Sequence, residues 1–194
     1  MSRRINGYSL AELLTAMAIL GLMIAIGIPS MLTINRRAAL RAATGELRSI
    51  FHLARMRAIS RGANCGVKFL EVRGEWQFAL YDDGDGDGVR NEDINRGIDR
   101  LVASARPALR ETRAVTIGLI DLTIDDPDGE LIGDSPVRFG RSTICSFTPL
   151  GESTSGTIYL TDRDRELYAV RVFGATAKIR TLRYDIDAEK WSER

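Results

Sequence analysis

Residues 7–29, GYSLAELLTAMAILGLMIAIGIP, form an apolar run that carries a carboxylate, Glu12, close to its beginning. Together with the residues up to Ile34, the run is long enough to cross a hydrocarbon core of about 30 Å as a helix. An ionised glutamate within a bilayer costs about 3 kcal/mol on insertion scales, so such residues are usually paired. We therefore expect Glu12 to meet a cation; the alternative is that its side chain reaches back to the membrane surface.

The segment before this run is short and basic. Residues 1–7 contain Arg3 and Arg4, have no acidic residue, and end at Gly7, which Tyr8 follows. A secretory signal peptide would place small residues for cleavage after the apolar region, whereas Pro29 there leads into more helical sequence. A processing signal, if the chain has one, therefore lies before the run.

This arrangement, RRING followed by YSLAELL, resembles the leader of type IV prepilins, although the more common phenylalanine is replaced by Tyr8. The resemblance implies that residues 1–7 are a leader, which a prepilin peptidase cuts after Gly7 before methylating the new amine of Tyr8. In a filament of staggered subunits, Glu12 could then pair with the Tyr8 amine of a neighbour. Such a buried pair contributes more to register than to net stability.

Helical periodicity continues beyond the apolar run. Small and apolar residues recur at spacings of three and four, at Leu40, Ala43, Leu47, Ile50, Ala54 and Ala58. Arginines occupy the other side, at Arg37, Arg41, Arg48 and Arg55. We expect a transmembrane helix over residues 8–34 and an amphipathic extension over residues 35–61. The arginine side would face solvent or, alternatively, neighbouring subunits.

After Gly62 the helical period disappears and strand signals replace it. Residues 65–81 alternate around a turn at residues 73–75 and predict a hairpin. Further strands are predicted over residues 114–124, 137–141, 156–161, 167–173 and 178–185. The predicted fold class is α+β, with a long N-terminal membrane-spanning helix packed on a C-terminal antiparallel β-sandwich-like domain at residues 62–194.

The β-rich half, with DDGDGDGVRNEDINRGID and FTPLGESTSGTIYLTD, is similar to the GspH/FimT group of minor pilins and pseudopilins. That resemblance implies a pilin fold and a structural subunit at or near the tip of a type IV pilus or a type II secretion pseudopilus. It implies a single pass through the inner membrane with the C-terminal domain in the periplasm. The implied partners are the prepilin peptidase, the other pilins of the filament tip and the inner membrane.

Composition gives no indication of an enzyme. His52 is the only histidine, and no nucleophile, zinc or phosphate-binding motif accompanies it. The two cysteines, Cys65 and Cys145, are too few for a zinc site. They could form one disulfide outside the cytosol, or remain two buried thiols, because spacing alone does not establish bridging geometry.

An acidic loop offers a candidate cofactor site. Asp83, Asp85 and Asp87 have the spacing at which a tight turn directs alternate oxygens to one calcium ion, and Asn91 falls at the ninth loop position. The twelfth position, where calcium loops place a bidentate carboxylate, is Ile94. Calcium binding and a solvated acidic turn are therefore both open, and no other cofactor is expected.

A basic segment near the C-terminus, AKIRTLR, suggests an alternative function. Lys178, Arg180 and Arg183 lie on a predicted strand. Some FimT-like minor pilins take part in DNA uptake and have a Gly-Arg-x-Arg pattern near this place, where this chain has Ala177 and Lys178 instead of Gly-Arg. Contacts with DNA phosphates would be salt-sensitive and weak with three cations. The alternative is that these side chains only face water.

Overall fold

The structure is a computed structural model that describes residues 9–109, 115–129 and 132–193; the side chains of residues 27–30, 32 and 33 are also outside the description. The chain divides into two compact units, Met1–Ala38 and Ala39–Arg194. The first unit, where described, is the N-terminal part of one helix. The second is a globular α+β domain.

Helix α1 extends from Leu10 to Arg61. Ser9 precedes it, and the Ser9 hydroxyl accepts a hydrogen bond from the Glu12 amide at 3.2 Å, as an N-cap residue does. Gly62 follows its last residue with φ of 65°, a left-handed conformation that glycine adopts without steric cost. The predicted end of the helix before Gly62 is confirmed.

Two antiparallel sheets form the rest of the globular unit. The first contains four strands in the order β3-β2-β1-β6. The second has the order β10-β9-β8-β7-β4, and β5 also pairs with β7. The elements are β1 Cys65–Val72, β2 Glu75–Asp82, α2 Asn91–Arg96, β3 Arg100–Pro107, β4 Thr116–Ile117, β5 Val137–Phe139, β6 Ile144–Phe147, β7 Gly156–Thr161, β8 Leu167–Phe173, β9 Lys178–Asp185 and β10 Lys190–Glu193.

The main core joins the second half of α1 to both sheets. The predicted stripe of α1, from Leu40 to Ala58, is buried in it. Phe51 lies at its centre, with ring centroids 5.9 Å from Phe69, 5.8 Å from Phe139 and 6.1 Å from Phe147. These partners come from β1, β5 and β6, so a single helical residue contacts both sheets. The α+β fold class is confirmed.

A second, smaller apolar cluster lies on another face of the six-stranded sheet. Tyr159, Leu167 and Ala169 are buried there together with Ile124 from the connection after β4. Leu182, Tyr184 and Trp191 pack against them from β9 and β10. This connection therefore covers the sheet face that α1 does not.

The hairpin β1–β2 and strands β7, β8 and β9 lie where the sequence predicts them. The strand predicted over residues 114–124 is wrong for most of its described length, because only Thr116–Ile117 pairs. Leu119 and Ile120 in that segment pack on the second cluster instead of forming a ladder. Sequence analysis missed β3, an edge strand whose residues are mostly exposed, so buried and exposed positions do not alternate along it.

Candidate functional site

Glu12 lies in the first turn of α1 with its side chain exposed. Its amide is the group that Ser9 caps, and the sequence Ser-x-x-Glu is that of a capping box. Among the described residues, none donates a hydrogen bond or ion pair to the Glu12 carboxylate. The carboxylate thus lies at the positive end of the helix dipole, but it has no hydrogen-bond donor and no cationic partner within the described chain. Gly7 and Tyr8, the predicted processing residues, lie outside the described residues.

The first unit presents an unusually apolar surface. Leu13, Met17, Leu20 and Ile24 are between 55 and 67% exposed, and large apolar side chains are exposed on all sides of this part of α1. Thr15 donates to the carbonyl oxygens of Ala11 and Glu12, at 3.0 and 2.9 Å, so its hydroxyl is satisfied within the helix. Across the described residues, no helical stretch meets the combined length and hydropathy needed to span a membrane.

The acidic loop after β2 brings the three predicted aspartates together. One carboxylate oxygen from each of Asp83, Asp85 and Asp87 lies within 4.8 Å of the others. Asp87 forms a salt bridge with Arg90. Asn91 is the first residue of α2 and is exposed. The structure thus groups the aspartates as the spacing predicts, and calcium binding itself stays a prediction.

Asp83 has a structural role in this loop. Its Oδ1 accepts hydrogen bonds from the amides of Asp85 and Gly86, at 3.0 and 2.8 Å. Its Oδ2 accepts from the Gly88 amide at 2.8 Å and from Asn64 Nδ2 at 2.6 Å. A carboxylate has about four acceptor positions, and these donors use them. A calcium ion would have to displace some of these bonds to bind Asp83.

The ionisation of Asp83 reflects these contacts. Its partial burial raises the pKa, but the hydrogen bonds from Asn64, Gly86, Gly88 and Asp85 together lower the pKa more, so the net change is downward. The buried Asp99 closes the other side of the loop, accepting from the amides of Gly84 and Arg90. Two carboxylates, Asp83 and Asp99, therefore hold the loop backbone from its two sides.

The predicted DNA-binding residues do not form one surface. Lys178 and Arg180 alternate onto the same face of β9, whereas Arg183 lies on the opposite face. Arg183 Nε is 2.8 Å from Glu166 Oε2. Arg180 lies 3.3 Å from Glu193 and stacks on the Phe173 ring at 5.3 Å. Lys178 is exposed. A three-cation site is therefore not assembled on this strand.

Both cysteines are free and buried, so the structure does not contain the disulfide that was one of the two alternatives. The register pairs Cys65 with Phe147 and Val67 with Cys145, so the cysteines are diagonal neighbours on adjacent strands. Diagonal Cβ atoms are typically farther apart than the roughly 3.8 Å of a disulfide. Burial raises the pKa of Cys65 to about 12 and that of Cys145 well above its usual range, which disfavours the reactive thiolate at neutral pH.

A cavity beside the β9–β10 hairpin was missed by the sequence analysis. It has a volume of about 310 Å³, and the side chains that line it include Asp125, Tyr184, Glu189 and Trp191. Trp191 is 66 residues from Asp125, whose carbonyl oxygen accepts a hydrogen bond from the indole. A contact at that separation leaves no local sequence pattern.

Comparison with known protein families yields two matches. The prokaryotic N-terminal methylation motif matches residues 2–28, and the family described as type II transport protein GspH matches residues 43–176. No curated protein and no solved structure matches the chain. The methylation motif beside a helix that packs on antiparallel sheets defines a type IV pilin-like protein. The second match covers more than half of the chain, which therefore belongs to the GspH family.

Family membership confirms the resemblance to GspH/FimT pilins and pseudopilins. The family comprises structural pilus or pseudopilus subunits that the N-terminal helix anchors in the inner membrane. The methylation motif implies processing by a prepilin peptidase and assembly with other pilins.

Proposed function

We propose that this chain is a minor pilin or pseudopilin without catalytic activity, located at or near the tip of a type IV pilus or a type II secretion pseudopilus. Residues 1–7 are its leader, cleaved after Gly7, and the mature chain begins at methylated Tyr8. The observation that carries this proposal is the methylation motif over residues 2–28, which overlaps the exposed apolar part of α1. An exposed apolar surface of this kind is typical of a site that contacts a membrane or another protein.

In the membrane, residues 8–34 would form a single pass, and residues 62–194 would face the periplasm. The support is the apolar run with basic residues Arg3 and Arg4 on its N-terminal side, which favours a cytoplasmic N-terminus. Residues 35–61 would link the pass to the globular unit. In the filament, neighbouring helices would replace lipid around the same apolar side chains.

Glu12 would pair with the Tyr8 amine of a neighbouring subunit. The support is chemical: the described residues give its carboxylate no cation, and cleavage after Gly7 creates a new ammonium group four residues away in sequence. Methylation of that amine keeps its positive charge. Removing one partner of a buried ion pair costs about 3–5 kcal/mol, because the other charge remains unpaired.

Substitutions at Glu12 and Ser9 separate pairing from helix capping. Glu12→Gln keeps a side chain that suits a capping box but removes the charge, and we expect it to insert into the membrane and to reduce incorporation into filaments roughly a hundredfold. Ser9→Ala, the matched control, removes the cap hydroxyl and leaves the charge, so incorporation should be close to wild type. The measurement is the amount of each variant in sheared filaments relative to membranes.

Equal incorporation of Glu12→Gln and wild type would contradict the pairing and favour a side chain that reaches the membrane surface. An equal loss in Ser9→Ala and Glu12→Gln would assign Glu12 to helix capping alone.

A role in DNA uptake stays a prediction. Of the three residues predicted to bind DNA, Lys178 and Arg180 share one face of β9 and form the remaining candidate surface. If these residues contact phosphates, the full chain in detergent should bind duplex DNA at low salt, and the Lys178→Gln/Arg180→Gln variant should lose most of that binding. Arg163→Gln/Arg165→Gln changes net charge equally at other exposed positions and is the control. Fluorescence anisotropy showing no binding, or equal losses in both variants, would contradict a DNA site on β9.

A further inference from the structure

The cavity beside the β9–β10 hairpin combines aromatic rings with carboxylates. Tyr184 and Trp191 lie on adjacent strands, with ring centroids 5.2 Å apart and planes at 60°. Trp191 also contacts Tyr159 at 6.1 Å, and its indole nitrogen donates to the Asp125 carbonyl oxygen at 2.8 Å. The indole is thus fixed from several sides while it stays partly exposed to the cavity.

Two carboxylates also line the cavity, and the remaining lining residues are Leu122, Thr123, Ile124 and Ile186. Asp125 comes from the connection after β4, and Glu189 comes from the turn between β9 and β10. Both are exposed, and within the described part of the chain no hydrogen bond or ion pair engages either carboxylate. Desolvation, and then the negative charges of Glu189 and Asp125, raise the pKa of the Tyr184 hydroxyl. Both carboxylates therefore lie close enough to the Tyr184 hydroxyl to act on it electrostatically.

We propose that this cavity is a binding site for a cationic side chain, arginine or lysine, presented by a protein partner. Aromatic faces attract a guanidinium or ammonium group through their quadrupoles, and the attraction increases when the cation is partly desolvated. The two carboxylates supply the opposite charge. At about 310 Å³, the cavity is at the small end of ligand sites, and it suits one side chain.

The position of the cavity favours a protein as the source of the cation. Strand β10, which contributes Trp191, is the edge of its sheet. An edge strand leaves backbone donors and acceptors available to a docking chain, so a partner could engage β10 while one of its cations enters the cavity. This binding site is separate from the N-terminal helix through which the subunit is proposed to assemble.

The test uses the full chain in detergent micelles with labelled tryptophan indoles. The protein has two tryptophans, so Trp76 in β2 serves as an internal reference for Trp191. On titration with L-argininamide, the Trp191 indole signal should shift saturably and the Trp76 signal should stay in place. L-citrullinamide has a similar shape and the same α-ammonium group but lacks the guanidinium charge, so it should bind much more weakly than L-argininamide.

Variants at the rim test the carboxylates without disturbing the core. Asp125→Asn combined with Glu189→Gln should weaken argininamide binding about tenfold. Asp187→Asn is the control, because Asp187 lies in the same hairpin turn but outside the cavity lining. It should change the affinity for argininamide less than about twofold, which is the effect expected from the long-range charge alone. An unchanged Trp76 signal in each variant confirms that the fold is retained.

Three results would overturn the proposal: no saturable shift with argininamide, equal shifts with argininamide and citrullinamide, or unchanged affinity in the double variant. The second would indicate apolar contact with the ligand rather than recognition of its charge.

Discussion

At the scale of single residues, an ion pair at the end of α1 joins this helix to the first sheet. Arg57 Nε and Nη2 donate to Asp82 Oδ1 and Oδ2 at 2.7 and 2.8 Å, and Arg61 lies 3.5 Å from the same carboxylate. The hydrogen bond from Arg57 is the largest influence that lowers the pKa of Asp82. The pair is partly exposed, which moderates its contribution to stability.

This pair predicts how stability depends on pH. The pKa of Asp82 is lower in the folded chain than the roughly 3.9 of an unperturbed aspartate. Its stabilisation is therefore complete above that unperturbed value and is lost as the pH falls through the folded pKa. Urea unfolding at pH 7 and pH 3 should show a smaller loss of stability in Asp82→Asn than in wild type. Equal losses in both proteins would contradict the role of Asp82.

Phe51 is the residue on which the main core depends most. It is fully buried and contacts three other phenylalanines. Phe51→Ala should lower the free energy of unfolding by about 3–5 kcal/mol, because the lost transfer energy adds to the cost of a cavity. Leu53→Ala, two residues away and 57% exposed, should cost well under half as much. Comparable losses in denaturant unfolding would mean that the ring cluster is not central.

At the scale of elements, the acidic loop between β2 and α2 is held closed by its own hydrogen bonds. A Cβ atom at Gly84 would overlap the carbonyl oxygen of Ile98, so the loop passes too close to that backbone for any other residue. Asp83 and Asp99 hold the two sides. The loop therefore has a structural role whether or not it binds an ion.

Calcium should separate the two interpretations of this loop. If it binds at the weak affinity of extracellular sites, about 1 mM, then 10 mM calcium should stabilise the folded chain by about 1.4 kcal/mol. Asp85→Asn should abolish that gain and leave stability without calcium nearly unchanged, since Asp85 is exposed. Asp187→Asn is a distant exposed control. A thermal midpoint that does not respond to calcium in wild type would leave the loop as a solvated acidic turn.

The elements also show what local pattern can and cannot predict. The N-terminal methylation motif, the helix end at Gly62 and the hairpin β1–β2 follow from short-range signals, namely charge, periodicity and a turn glycine. Strand β3 has no such signal because most of its residues are exposed, so buried and exposed positions do not alternate along it. The apolar residues Leu119 and Ile120 fit two structures equally well, a strand within a sheet or a segment that packs over a sheet. In this chain they pack over a sheet.

The same limit applies to the candidate sites. The spacing of Asp83, Asp85 and Asp87 predicts their proximity, because they belong to one turn. It does not predict that Asn64, from before β1, engages Asp83. Likewise, the separation of Arg183 from Lys178 follows from strand alternation, but its pairing with Glu166 depends on the β8–β9 register.

At the scale of the whole molecule, the sequence combines two regions with different requirements. The globular unit buries its own core, whereas the described apolar side chains of the N-terminal helix are left exposed. In the function proposed for this GspH-family chain, the helix is covered first by the membrane and then by the helices of neighbouring subunits.

The most direct test of this account is the intact mass of the protein purified from membranes of cells with and without prepilin peptidase. With the peptidase, the mature chain should lack residues 1–7 and begin at Tyr8 with one added methyl group. Without it, or in the Gly7→Asp variant, the chain should retain Met1 to Gly7. A protein from filaments that still carries the intact leader, or that is cut at another position, would contradict the assignment.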